Sequence, residues 1–168
     1  MRNPAATPST VSCQTVPSPL GDIILAASDT GLLGLWFHNQ RYLPDMQGWV
    51  QAPQHPLLLQ ARQQLDDYFA GKRQRFDLPL DLSRCTSFQQ AVWQALLAIP
   101  AGNTVSYGAL SQNLGNPKAV RAVGAAVGRN PLSIVVPCHR VLGSDGSLTG
   151  YAGGLQRKSS LLKLEGAL

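Results

Sequence analysis

Residues Ile134-Val135-Val136-Pro137-Cys138-His139-Arg140-Val141 constrain this chain more than any other stretch. Three β-branched apolar residues in a row demand burial, as a strand or another core segment, and the run stops at a proline. Pro137 suits the start of a helical turn, where the missing N–H would have no partner anyway. The cysteine and histidine are thus delivered from the interior to a turn. With backbone N–H groups pointing outward there, and His139 and Arg140 adjoining, the Cys138 thiol pKa is expected to fall toward the thiolate. A buried structural cysteine is the bland alternative, and the His-Arg pair tips the reading toward chemistry. Neighbouring side chains diverge by about 100° on a helix and point to opposite faces of a strand. Cys138 and His139 are therefore poorly placed to bond directly. A bridging water is the easier geometry, with a distant carboxylate orienting the imidazole.

At 168 residues, 44% apolar and 14% charged, the chain can bury a core as one domain or two small ones. Its net charge of +5 is unevenly placed. Residues 1–85 carry seven Lys/Arg against seven Asp, and residues 86–168 carry seven against two acids. The half with the Cys-His motif holds all the excess, which points to a polyanionic partner for that half. Cys13, Cys85 and Cys138 are odd in number and widely spaced, which suggests no disulfide framework and fits a reducing cytoplasm. The start of the chain is rich in Pro, Ser, Thr and Ala and lacks the apolar core of a signal peptide, so residues 1–10 read as a loose tail. No segment approaches the roughly 20 apolar residues of a membrane span.

Strands are expected over 11–16, 23–27 and 32–38, parted by the turn signals Pro17-Ser18-Pro19-Leu20-Gly21 and Asp29-Thr30-Gly31. Apolar residues at helical spacing follow over 56–70, with Pro56 in the first turn and Gly71 as the C-terminal stop. Residues 11–80 thus read as a small antiparallel sheet with a helix, a supporting domain without catalytic residues. Residues 86–168 read as mainly helical. Ser87 and Gln90 have capping-box spacing, ahead of an apolar face of Phe88, Ala91, Val92, Ala95, Leu96 and Ile99. A short helix over 106–114 meets a second across Gly115-Asn116, with Asn116 as its cap and Pro117 at its first position. Two short helices across such a turn read either as a helix-turn-helix or as an ordinary packing hairpin. The second is slim, being built of Ala119, Ala122, Gly124, Ala125 and Ala126. Packing explains Ala122 and Ala126, but not Arg121. A last helix covers 155–164, with Glu165, the chain's one glutamate, near its end. The fold class is α/β (α+β).

The octet, together with Ser106-Tyr107, the run Asn116–Gly124, Asn130-Pro131 and Tyr151-Ala152-Gly153-Gly154, resembles the O6-alkylguanine-DNA alkyltransferases over residues 86–165. The first 80 residues match only in layout. The resemblance implies a protein that moves an alkyl group from O6-alkylguanine in duplex DNA onto its own cysteine, and leaves open whether O4-alkylthymine is a substrate too. Cys138 would be the acceptor, His139 its water-bridged base, Glu165 the carboxylate orienting His139, and Asn130 the hinge between recognition helix and active-site segment. Tyr107, Val141, Tyr151, Ala152 and Val127 would line the base pocket, Val141 through its carbonyl and Ala152 through its N–H. Val127 and Ser133 leave the alkyl range open. Lys118, Ala119, Val120, Arg121 and Ser144 would meet DNA, with Arg121 filling the place of the extruded nucleotide in the minor groove. No cofactor is expected. No metal is expected either, since Cys13, His38, His55 and Cys85 lack short ligand spacing. The chain should work as a cytoplasmic monomer, with the DNA-binding surface in its second half. Three rivals remain: an alkyltransferase-like lesion binder, which would lack the acceptor cysteine; a helix-turn-helix regulator, which would need long polar side chains for the major groove; and a Cys-His hydrolase.

Overall fold

The Pro17–Gly21 turn closes as its residues dictate, with Gly21 at φ +111° and its N–H bonded to the Ser18 carbonyl at 3.1 Å. It joins β1 (Ser12–Val16) to β2 (Ile23–Ala27), and β3 (Leu32–Phe37) follows antiparallel. The structure, a computed structural model, describes residues 10–168, so the tail read over residues 1–10 lies outside them except for Thr10. The three expected strands are present. A short β4 (Val50–Gln51), not anticipated, adds in parallel to β1 and gives the order β3-β2-β1-β4. The pleat sends Leu25, Leu35, Ile23 and Phe37 to one face, beneath the buried Leu58, Ala61, Leu65 and Tyr68 of α1 (Pro56–Phe69). The opposite face carries Trp36, stacked at 5.7 Å on Trp49. Helix α1 starts at Pro56 and is followed by Gly71 at φ +76°, as the sequence predicts.

The second half departs from expectation at two helix starts. Helix α2 (Ser87–Leu97) is capped by Thr86 with Gln89, one residue ahead of the Ser87/Gln90 pair. Gln90 is drawn elsewhere: its amide donates to the carbonyls of Leu82 and Cys85, folding the connection onto the helix. Helix α3 (Tyr107–Asn113) is capped by Ser106, and α4 runs Val120–Gly128. Asn116 does not cap α4. Its N–H bonds to Ser111 and that of Gly115 to Gln112, with Gly115 at φ +74°. This double closure ends α3 in a Schellman motif. Residues 116–119 then turn, so Lys118 and Ala119 precede the helix rather than opening it.

A parallel pair, β5 (Val105–Ser106) with β6 (Val141–Leu142), and a last helix, α5 (Leu155–Leu164), complete the fold. Trp93 of α2 is 1% exposed and donates its indole N–H to the Ala126 carbonyl at 2.9 Å, clamping α2 to α4. One apolar cluster runs through both halves, from Val16 to Leu161. The outer edge of β3 is not left open. Leu35 exchanges bonds with the Pro131 carbonyl (2.8 Å) and the Ser133 N–H (3.0 Å), so the sheet holds the segment that leads to Cys138. An edge covered in this way offers no template for aggregation.

Candidate active site

Residues 132–141 are all buried. They form consecutive tight turns rather than a strand: Val135 bonds to Ser133, Val136 to Leu132 and Cys138 to Val136, at 2.8–2.9 Å. Ile134 sits at φ +72°, a left-handed conformation that a β-branched residue holds only where the surroundings dictate it. Asn130, 4% exposed, supplies part of that dictation. Its amide donates to the Val136 carbonyl at 2.7 Å, and its oxygen accepts from the Leu132 N–H at 2.9 Å. Asn130 also lies close enough to Cys138 to favour its thiolate.

Pro137, at φ −81° and ψ 64°, is an inverse γ-turn and precedes the 3₁₀ turn Cys138–Arg140 instead of beginning it. The Cys138 N–H is consumed by that γ-turn, so the thiol has no helix terminus behind it. The expected lowering of its pKa is therefore corrected. Complete burial pushes the Cys138 thiol up, and Asn130 and the Lys158 charge offset this only in part. Arg140 does not help, because its guanidinium is turned away onto Glu165.

Glu165, the C-cap of α5, is the hub of this cluster. Arg140 grips it with two bonds of 2.8 Å, His139 Nε2 donates at 2.8 Å, and the Tyr68 hydroxyl donates at 2.7 Å. Burial would raise the carboxyl, but the bonds from Arg140, His139 and Tyr68 prevail and hold it at about 2. His139 is fully buried, which lowers its pKa and keeps the ring neutral. With Nε2 committed as donor to Glu165, Nδ1 carries the free lone pair, and it has no partner among the described residues. A buried imidazole with one nitrogen free, in the residue that follows the thiol, is a group that can take a proton through one water.

The sequence points to Arg140 only as a charge beside the thiol, not as the partner of Glu165, and does not announce Tyr68 or Lys158 as members of the site. The spacing over 56–70 gives Tyr68 no role beyond an apolar position of α1. A buried tyrosine needs a partner for its hydroxyl, yet nothing local identifies one that lies 97 residues away. For Lys158 a signal did exist: it shares helical spacing with the buried Leu161 and Leu162. Its ammonium donates to the carbonyls of Val141 and Thr149. Burial lowers its pKa to about 8.

A cleft of about 740 Å³ is lined by α4 through Val120, Gly124 and Ala125, by Tyr107, and by Ser144 and Thr149–Ala152 of the glycine-rich loop over residues 143–154. Tyr107 is half-buried, and its hydroxyl donates to the Thr149 and Gly150 carbonyls, each at 3.2 Å. Tyr151 is buried, with its hydroxyl unpartnered among the described residues. Gly153 admits no side chain, since a Cβ would lie 2.8 Å from the Tyr151 ring and 3.1 Å from Phe37. The Val141 carbonyl accepts from Lys158. Val127 is 3% exposed and packs in the core with Val123 and Ala126. Lys118, Val120 and Arg121 are exposed, and Ala119 is half-buried. Ala122, expected to pack inward, is exposed as well. Among the described residues no three His, Cys, Asp or Glu side chains lie together as a metal site, and no helix is long and apolar enough to cross a membrane.

The pKa shifts make stability depend on acidity. The folded His139 resists the proton that the unfolded chain accepts near 6.5, so acid favours unfolding below that value. Glu165 and Asp81 are held at about 2 from ordinary values of 4.5 and 3.8, so their contribution is present above those values and lost as pH falls toward 2. The melting temperature should decline gently below pH 6.5 and steeply below about 4.5. Calorimetry across that range checks it, and Glu165→Gln should flatten the steep limb.

The fold and site define a two-part protein in which a sheet domain braces a helical domain bearing a helix-turn-helix and a buried Cys-His-Glu cluster. Residues 87–167 match the 6-O-methylguanine DNA methyltransferase DNA-binding domain, and residues 11–82 its ribonuclease-like domain. A methylated-DNA--protein-cysteine methyltransferase of Mycobacterium leprae is 49% identical over 155 residues, covering 92% of each chain. One of Methanosarcina acetivorans is 48% identical over 89% of this chain and 95% of its own. The crystal structure of the Mycobacterium tuberculosis O6-methylguanine methyltransferase superposes with a TM-score of 0.86 at 47% identity, covering 94% of each chain. A complex of the M. tuberculosis protein with DNA superposes equally well at 46% identity, covering 93% of each chain. The chain belongs to the 6-O-methylguanine DNA methyltransferase family.

Proposed function

We propose that this protein repairs duplex DNA by moving a methyl or larger alkyl group from the O6 position of guanine, and from O4 of thymine as a second substrate, onto Cys138. The observation that carries the reading is the thiol followed in the chain by a neutral histidine with one nitrogen fixed by Glu165. The alkylated base is turned out of the helix into the cleft, at a cost of a few kcal/mol. Arg121 at the start of α4 fills the space it leaves, and Lys118, Ala119, Val120 and Ser144 meet the DNA around it. Tyr107 donates its hydroxyl to the base, Val141 offers its carbonyl to the guanine amino group, and the Ala152 N–H and Tyr151 complete the pocket, while Val127, packed in the core, lies outside it.

His139 Nδ1 takes the thiol proton through a water, and Glu165 stabilises the imidazolium that results. Asn130 and the Lys158 ammonium support the thiolate. The sulfur attacks the alkyl carbon, a soft centre suited to a thiolate. An S–C bond forms, the C–O6 bond breaks, and its electron pair stays on guanine. Hydrogen bonds stabilise the charge as it develops, and the guanine regains the proton that the thiol lost. Nothing in the site returns the thioether to a thiol, so each molecule acts once. It needs no cofactor or metal and works as a monomer in the cytoplasm. Intact-mass measurement after incubation with an O6-methylguanine duplex should show one methyl per molecule, mapped to Cys138. Several demethylated guanines per protein molecule would refute the reading.

A further inference from the structure

The loop after β3 and the end of α4 bring three side chains together at the cleft. Tyr42 is held at φ +61°, a left-handed conformation uncommon outside glycine, and its ring is 47% exposed. The Arg129 guanidinium lies 3.9 Å from the ring centroid and that of Arg41 5.2 Å, both within cation–π range. All three residues line the same cleft as Tyr107 and Ala152. Arg41 and Tyr42 belong to the sheet domain, whereas Arg129 closes α4.

The arrangement is anchored from beneath. Buried Gln40 accepts from the Phe37 N–H at 2.9 Å and from the Ser133 hydroxyl at 3.3 Å, and its amide donates to the Arg41 carbonyl. The Arg41 N–H bonds to the Ala152 carbonyl at 3.0 Å, tying this loop to the glycine-rich one. Neither guanidinium has a carboxylate: the ion pairs among the described residues are those of Glu165. The acids of the two loops, Asp45 and Asp145, accept backbone N–H groups of Gln47 and Ser147 instead. Two cations gathered on one ring without an anion repel each other, and the ring's quadrupole offsets only part of that. An anion brought by a ligand would complete the set.

We propose that Arg41 and Arg129, steadied by Tyr42, form a phosphate clamp on the DNA backbone beside the extruded nucleotide. The sheet domain then belongs to the DNA-binding surface. This rests on the proposed DNA substrate. A strand whose base enters the cleft between α4 and the glycine-rich loop runs past the two guanidiniums that line it. Phosphate contacts carry no sequence information, so the clamp adds affinity and registers the strand without choosing the lesion.

The test is equilibrium binding of the full-length protein to a short duplex, with and without O6-methylguanine, over a range of salt. Each phosphate contact contributes about 0.9 to the slope of log affinity against log salt. Arg41→Gln and Arg129→Gln should each lower the slope by about 0.9 and the double variant by about 1.8, equally on both duplexes. Arg41→Lys and Arg129→Lys should keep it, while Arg62→Gln on the exposed side of α1 should match the wild type. Unchanged slopes in the Gln variants, or Lys variants that behave like Gln, would overturn the clamp. A wild type with no salt-dependent DNA binding would overturn the proposed function itself, which separates the two failures.

Discussion

Cys138→Ser should leave no detectable alkyl transfer while retaining DNA binding. The change removes one soft, polarisable atom and little volume. A serine hydroxyl is far weaker as an acid than a thiol, and burial, which already raises Cys138, would raise it further. His139, a neutral base of depressed pKa, cannot ionise it. Asn130 remains in place beside the hydroxyl, so the turn at Pro137 should persist and the melting temperature should change little. The check is a quench-flow or gel assay of demethylation beside a binding isotherm on the same duplex. Residual transfer, or methyl found on Cys13 or Cys85 in the wild type, would remove Cys138 from its assigned role.

Arg121→Ala should be the second large effect, and it separates base extrusion from plain binding. Arg121 is the one long side chain near the start of a slim helix, and it is exposed. If it occupies the vacated stack, its loss exposes the reaction to the unaided flipping cost of a few kcal/mol. A tenfold to thousandfold drop in transfer rate corresponds to about 1.4–4 kcal/mol and is the expected range on duplex DNA. The free O6-alkylguanine base needs no flipping, so the loss should be confined to the duplex. Equal losses on both substrates would mean that Arg121 supports the fold or tunes the thiol instead.

How much of this was legible follows from the range of each interaction. Helices α1 and α5 were readable because spacing, Pro56 and Gly71 are local signals. The contact of His139 with Glu165 was anticipated because Glu165 is the one glutamate, although resemblance rather than spacing linked it to the histidine. The cap of α2 was misplaced by one residue because Gln90 answers carbonyls of the preceding connection, a competition that spacing does not reveal. Asn116 was assigned to the wrong helix because the same residue types end one helix and begin another. The thiol pKa was misjudged for a related reason. The local rule weighs neighbouring charges, but Arg140 is neutralised by Glu165, and desolvation, a property of the whole fold, decides the sign. Tyr68, a residue of the supporting domain, meets the Glu165 carboxylate across 97 residues of sequence, through the tertiary fold alone. No reading confined to residues 86–168 would have found it.

The sealed thiol bears on how the molecule survives between encounters. Cysteines are lost to peroxide and to stray electrophiles in proportion to their thiolate fraction and exposure. Cys138, 4% exposed and less acidic than a free thiol, offers little of either. A protein with a single reaction to give therefore keeps it in reserve through long idle periods in an oxidant-bearing cell. The same burial sets a condition on reaction: the packing over Cys138 must open before any reagent meets the sulfur. Small alkylating agents in solution should therefore age the protein slowly, and intact mass after prolonged exposure to one checks it.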